Sequence, residues 1–240
     1  MTLQAPMLPN EVAKKSLQFF WIADHSGSMM GKKISTLNQA IREAIPEVRK
    51  AVSAHPEVQI MMRAIRFSDF AEWHVGPQPI EVDNFSWPNL NIAGGTGTSQ
   101  AIRLLSTELK TSNMPNRGYP PVVILISDGY CTDFPGEYDT AIQELLDLPW
   151  GKRSVRLAIG IGDQTGYDEN ELLKFVSHPE VGVLKANTPE QLIHYIVWAS
   201  VTASISSSVS KSSGSNINSH NVIISPPPAA PAPTNKTTIF

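Results

Sequence analysis

The chain has 240 residues, of which 41% are hydrophobic and 17% charged, and its formal net charge is -3. That length holds one substantial core, or one domain plus a tail, and the slightly acidic balance excludes a broad nucleic-acid surface. The single cysteine, Cys131, excludes an internal disulfide framework and a cysteine-rich zinc site.

Residues 1–14 read as an N-terminal extension. They lack a basic start followed by a long apolar run, so no secretory signal is expected. No stretch approaches the roughly 20 apolar residues of a membrane span. A soluble, cytoplasmic protein with no membrane partner is the expectation. Residues 17–23 form a continuous apolar run of buried-strand type. The run ends abruptly in Asp24-His25-Ser26-Gly27-Ser28, which sets three oxygen-bearing side chains at i, i+2 and i+4. Ile34, Leu37, Ile41, Ala44, Ile45, Val48 and Val52 then mark one face of a helix, which Pro46 should kink or divide.

A second strand is predicted over 58–67 and a weaker third over 71–82. Ser68-Asp69-Phe70 joins them as a hairpin, so the third strand should be antiparallel. Residues 83–97 read as loop, closing in Gly94-Gly95-Thr96-Gly97, and Ile102, Leu105 and Leu109 mark the next helix. A turn-rich connection over 114–121 leads to the most apolar strand, 122–126, which ends in Ser127-Asp128-Gly129. A helix over 139–148, a strand through Val155, Leu157, Ile159 and Ile161, a helix over 169–177 and a strand over 181–186 follow. The last helix begins with Thr188 as N-cap and Pro189 in its first turn. Residues 206–240 are rich first in Ser and Asn, then in Pro and Ala, and are expected to be disordered. Within them, 221–225 reads either as linker or as a docking strand for a partner's sheet edge.

Strand-helix alternation over 15–205 predicts an α/β domain. Its sheet should be doubly wound, mostly parallel and six-stranded, with one antiparallel edge strand and helices on both faces. Ligands of such sheets bind beyond the carboxyl ends of the strands, where strand order reverses. If the strands ending in Asp24 and Asp128 are neighbours there, both carboxylates meet in one crevice, joined by Ser26, Ser28 and Thr96. Hard oxygen donors of this kind suit Mg²⁺, with Mn²⁺ or Ca²⁺ as alternatives. The reading is direct ligation by Ser26, Ser28 and Thr96 or one Asp, with the remaining carboxylates acting through water. A position stays open for a partner's Asp or Glu.

Asp24-His25-Ser26-Gly27-Ser28, then Gly95-Thr96, then Ser127-Asp128-Gly129 resembles the metal-ion-dependent adhesion site (MIDAS) of von Willebrand factor A domains. The resemblance implies a Rossmann-like fold and a metal carried by Asp24, Ser26, Ser28, Thr96 and Asp128. Aligned on the helix start Ala101-Ile102, Thr96 is the ligand, Thr98 is the runner-up, and Ser99 stands where glycine is usual. The stretch from Ile126 to Asp133 and the continuation Met29-Met30-Gly31-Lys32-Lys33-Ile34 are similar to the intracellular bacterial branch related to the tellurium-resistance protein TerY. That similarity implies a stress-response or phosphorylation-linked setting, with a protein kinase or PP2C-type phosphatase as partner.

Blander readings stand beside these. Asp24 and Asp128 also suit turn caps. Asp133 reads as a helix-start or surface residue, Asp163 as a rim residue, and His25 as pointing either to the rim or away from it. The six histidines show no ligand spacing, Cys131 reads as buried and inert, and neither Gly94–Gly97 nor Gly160-Ile161-Gly162 is a nucleotide loop. No nucleophile-base pair is evident, so a binding module and not an enzyme is expected. The alternative is a Mg²⁺-dependent phosphotransferase or phosphohydrolase using Asp24. Against it, haloacid-dehalogenase-like enzymes carry a second Asp where this chain has Ser26.

Overall fold

The ten residues of β1 (Lys15–Asp24) run through the middle of the molecule, and from Leu17 onward all but Gln18 and Asp24 are apolar and wholly buried. A strand covered on both faces reads this way because neither side chain set meets water. Odd positions Leu17, Phe19 and Trp21 pack on one face, even positions Phe20 and Ile22 on the other. In the computed structural model, which describes residues 14–162, 168–209 and 222–230, the remaining strands are β2 (Val58–Phe67), β3 (Ala71–Glu81), β4 (Val122–Ser127), β5 (Val155–Ile161) and β6 (Val183–Ala186). Their order is β3-β2-β1-β4-β5-β6. β3 pairs antiparallel with β2, and all other pairings are parallel. This is the predicted doubly wound six-stranded sheet, with the reversal of strand order between β1 and β4.

Among the described residues six α-helices flank the sheet: α1 (Lys32–Ser53), α2 (Thr98–Glu108), α3 (Glu137–Asp147), α4 (Pro149–Arg153), α5 (Glu169–Phe175) and α6 (Pro189–Val209). α1 and α6 pack together over one face of the sheet, and α2, α3 and α5 cover the other. α1 is a single helix of 22 residues with Pro46 inside it, so the proline does not divide it. Burial of Leu37, Ile41, Ala44 and Val48 against the sheet outweighs the lost backbone bond. α4 has no counterpart in the sequence prediction, because five residues give no periodicity. Thr188 takes the expected capping role: its Oγ1 accepts from the Gln191 N–H at 3.3 Å. No helix of the described residues is long and apolar enough to cross a membrane.

The tail departs from expectation over 222–230. Val222 and Ile224 are buried in the core face under α1 and α6, while Ile223 between them is 84% exposed. His178 Nε2 meets the Val222 carbonyl at 2.8 Å, and His194 Nε2 meets that of Pro228 at 3.2 Å. Two buried apolar side chains offset the ordering entropy that composition alone set against this stretch. Residues 1–13 and 210–221 lie outside the described residues.

Candidate metal centre

Asp24 is the last residue of β1 and Asp128 follows the last residue of β4. The two strands are in register from Phe19↔Val122 to Ala23↔Ile126, so both chain ends leave the sheet side by side. Both carboxylates are 0% exposed. Asp24 Oδ1 accepts from the Ser26 N–H at 2.8 Å, and Oδ2 accepts from the Ser127 hydroxyl at 2.6 Å. Asp128 Oδ1 accepts weakly from the Tyr130 N–H at 3.4 Å, and Lys33 Nζ stands 3.3 Å from Oδ2. Burial pushes the Asp24 carboxyl up to about 6. The Asp128 charge adds to this, and the hydrogen bonds from Ser127 and Ser26 oppose it.

Three loops are stitched together over these acids. Gly27 in the short 3-10 turn Gly27–Met29 donates to the Gly94 carbonyl at 3.0 Å, and Ala93 donates to His25 O at 2.8 Å. Thr96 donates to Thr132 Oγ1 at 2.8 Å, and Thr132 N–H returns to Thr96 O at 2.9 Å. The turn after β1, the glycine-rich loop and the loop after β4 therefore form one hydrogen-bonded rim. Gly94, at φ +36, must be glycine: a Cβ there would stand 1.8 Å from Asp69 Oδ2, whose partner Oδ1 takes the Gly95 N–H at 2.7 Å. Gly129, at φ +76, is equally constrained, with Asp168 O 2.5 Å from where a Cβ would be.

The donors fit a hard cation. Ser26 and Ser28 hydroxyls lie 3.0 Å apart, and Thr96, on the glycine-rich loop, is 3% exposed. Three hydroxyls and two carboxylates are the donor set that Mg²⁺, Mn²⁺ or Ca²⁺ prefers. No group of three or more His, Cys, Asp or Glu converges among the described residues. Thr98, the runner-up, is also buried, in the first turn of α2.

The neighbours of the motif sort themselves out. His25 is buried and turns away from the rim, its Nδ1 2.7 Å from the Asn91 carbonyl, and burial holds its imidazole below the usual value. Asp133 Oδ2 accepts the Ser99 N–H at 2.6 Å, so it caps α2 from another loop. Cys131 is half-buried and burial pushes its thiol up to about 11, which keeps it protonated and unreactive. Asp163 lies outside the described residues. Ser127, Thr132, Asp69 and Lys33 escaped the sequence reading. Only Ser127 had a signal, since its place beside Asp128 sets it across from Asp24.

No protein-family model matches the chain, and no curated protein matches it. Solved structures do. A von Willebrand factor type A protein from Catenulispora acidiphila is 18% identical with a TM-score of 0.61, over 79% of this chain and 43% of that one. The ArnB paralog VWA2 from Sulfolobus acidocaldarius is 18% identical at TM-score 0.57, over 78% and 45%. Proximal thread matrix protein 1 from the mussel byssus, with a zinc-occupied MIDAS motif, is 16% identical at TM-score 0.56, over 81% and 47%. The chain spans less than half the length of each. At these identities the likeness shows the fold: the Rossmann-like α/β sheet of von Willebrand A domains.

Proposed function

We propose that this chain is a metal-dependent protein-interaction module. Asp24, Ser26, Ser28, Thr96 and Asp128 hold one divalent cation, Mg²⁺ with Mn²⁺ or Ca²⁺ as alternatives, and a partner's Asp or Glu completes its shell. The observation that carries this reading is the convergence of two wholly buried carboxylates and three hydroxyls on loops that are hydrogen-bonded to one another. Two buried acids with a single paired lysine among the described residues are short of positive charge, and a divalent cation supplies it. The zinc-occupied MIDAS of the mussel protein, on the same fold, supports a metal at this place.

When bound, the metal supplies an exposed positive centre. The chain's own residues orient the loops: Ser127 holds Asp24, Thr132 holds the Thr96 loop, and Lys33 partners Asp128. Met30, Phe70 and Phe134, each at least 70% exposed, project from the same loops or the adjoining β2-β3 turn. They give a partner apolar surface beside the charge.

The chain is not an enzyme in this reading. Against an Asp24 phosphoryl acceptor, Ser26 stands two residues on, where haloacid-dehalogenase-like enzymes carry a second Asp. The resemblance to the TerY-like branch adds a cytoplasmic stress-response or phosphorylation-linked setting, with a kinase or PP2C-type phosphatase as partner. An aspartate-containing peptide should bind in Mg²⁺ and be released by EDTA, and Asp24→Ala and Asp128→Ala should abolish binding with the fold retained. Binding that survives both variants and EDTA contradicts the proposal.

A further inference from the structure

At the opposite end of the sheet, an open cavity of about 480 Å³ lies where β1 begins and α4 hands over to β5. Lys14, Lys15, Arg117 and Arg153 line it, with Gly118 and Trp150. None of the four cations has a carboxylate partner among the described residues, whereas Arg63, Arg66 and Arg103 all do. The nearby Glu57 is directed at His55, 3.6 Å away. This concentration of positive charge stands on a chain of net charge -3.

The cluster is held in place. Tyr119 donates to Ser16 O at 2.9 Å, and Ser16 bridges Gly118, which fixes the cavity floor on β1. Gly118 sits close under Trp150, whose Cη2 would be 3.6 Å from an added Cβ. The Arg153 guanidinium lies 4.6 Å over the Trp150 ring and Lys15 Nζ lies 4.2 Å over Tyr119. Arg153 Nε is shielded from water and makes no hydrogen bond. Burial first, and then the Arg153 charge, hold the Lys15 ammonium below its usual value. An anion between Lys15 and Arg153 would relieve their repulsion.

We propose that this cavity binds a phosphoryl group. A single carboxylate neutralises one of the four cations. A phosphoryl carries about -1.5 to -2 and three acceptor oxygens, which match two guanidinium forks and a lysine. The group is either free, as phosphate or pyrophosphate, or carried on a protein side chain; the chemistry recognised is the same.

The test titrates the full chain in metal-depleted buffer at constant ionic strength, so that the metal centre is empty and screening is fixed. Amide and lysine Nζ resonances are followed by NMR with three probes: inorganic phosphate, pyrophosphate, and an acetyl-Gly-phosphoserine-Gly amide with its unphosphorylated control. Saturable shifts at Lys15 and Gly118, with a Kd below ~1 mM, are expected for at least one phosphorylated probe and not for the control. Tighter binding of the peptide identifies a side-chain phosphoryl; tighter binding of phosphate or pyrophosphate identifies a free one. Arg117→Gln with Arg153→Gln should weaken binding roughly tenfold or more, and Arg153→Lys should retain part of it. In the ligand-free protein, Arg153→Gln should move the Lys15 titration upward. No saturable shift with any phosphorylated probe at ~10 mM, or an unchanged affinity in the double variant, overturns the proposal.

Discussion

At the carboxyl end of the sheet, two carboxylates are wholly buried and, among the described residues, Lys33 is the one cation paired with either of them. About 30 Å away along β1, at the amino end, four cations share a cavity with no carboxylate partner among the described residues. Both ends are short of counter-charge, yet they hold it differently. Lys14 and Arg117 stay in water, so waiting costs them little. Asp24 and Asp128 have no water, so every change at that end should register in stability. Parallel sheets produce this contrast because the loops leaving carboxyl ends fold over the strand termini and close them off.

The contrast is open to direct attack by mutation. Gly129→Ala combines a left-handed backbone with a Cβ 2.5 Å from Asp168 O. It should cost about 3 kcal/mol in urea denaturation. Gly118→Ala, whose contacts begin at 3.1 Å, should cost a fraction of that, about 1 kcal/mol. Equal costs would erase the distinction between the two ends.

The pH dependence follows in size. The folded-state pKa of Asp24 is about 6, above the ordinary value of 3.8, so the native state holds this proton more tightly than the unfolded chain does. In metal-depleted buffer its contribution to stability is full below the unfolded value and is lost as pH rises through about 6. The change is on the order of 3 kcal/mol. Denaturation midpoints between pH 4 and 7.5 should fall with rising pH, and Asp24→Asn should flatten the curve.

Lys33 gives a smaller effect. Two lysines, at 32 and 33, open α1 with no acid in its first turn, against the preference of the helix dipole. Pairing with Asp128 explains Lys33. Lys33→Met should destabilise the metal-free protein by about 1–2 kcal/mol and the Mg²⁺-saturated protein by less, as read from paired thermal melts. Smallest of all, Arg153→Gln at the amino end should change stability by no more than about 0.5 kcal/mol.

The residues that a local pattern defines were the ones visible in sequence. β1 from Phe19 to Ala23 and β4 from Val122 to Ile126 announced themselves as uninterrupted apolar runs, each with an aspartate at its carboxyl end. The Asp24, Ser26 and Ser28 spacing lies within one turn. Thr132, Asp69 and Lys33 were not visible, since each meets its partner 25 or more residues away in the chain. Thr96 and Thr98 stand two residues apart and are both buried, so neither spacing nor burial separates them. The tail shows the same limit: Val222 and Ile224 sit in a polar, proline-rich stretch, and only their place in the buried cluster beside His178 and α6 makes them core.

Isothermal calorimetry of Mg²⁺ and Mn²⁺ with wild type, Asp24→Asn and Asp128→Asn is the most direct trial of the carboxyl-end site. One cation per chain should bind the wild type, raising stability by about 2.7 kcal/mol at a hundredfold excess over Kd, and neither variant should bind it. Titrations that show no uptake by the wild type, or equal uptake by all three proteins, would contradict the account.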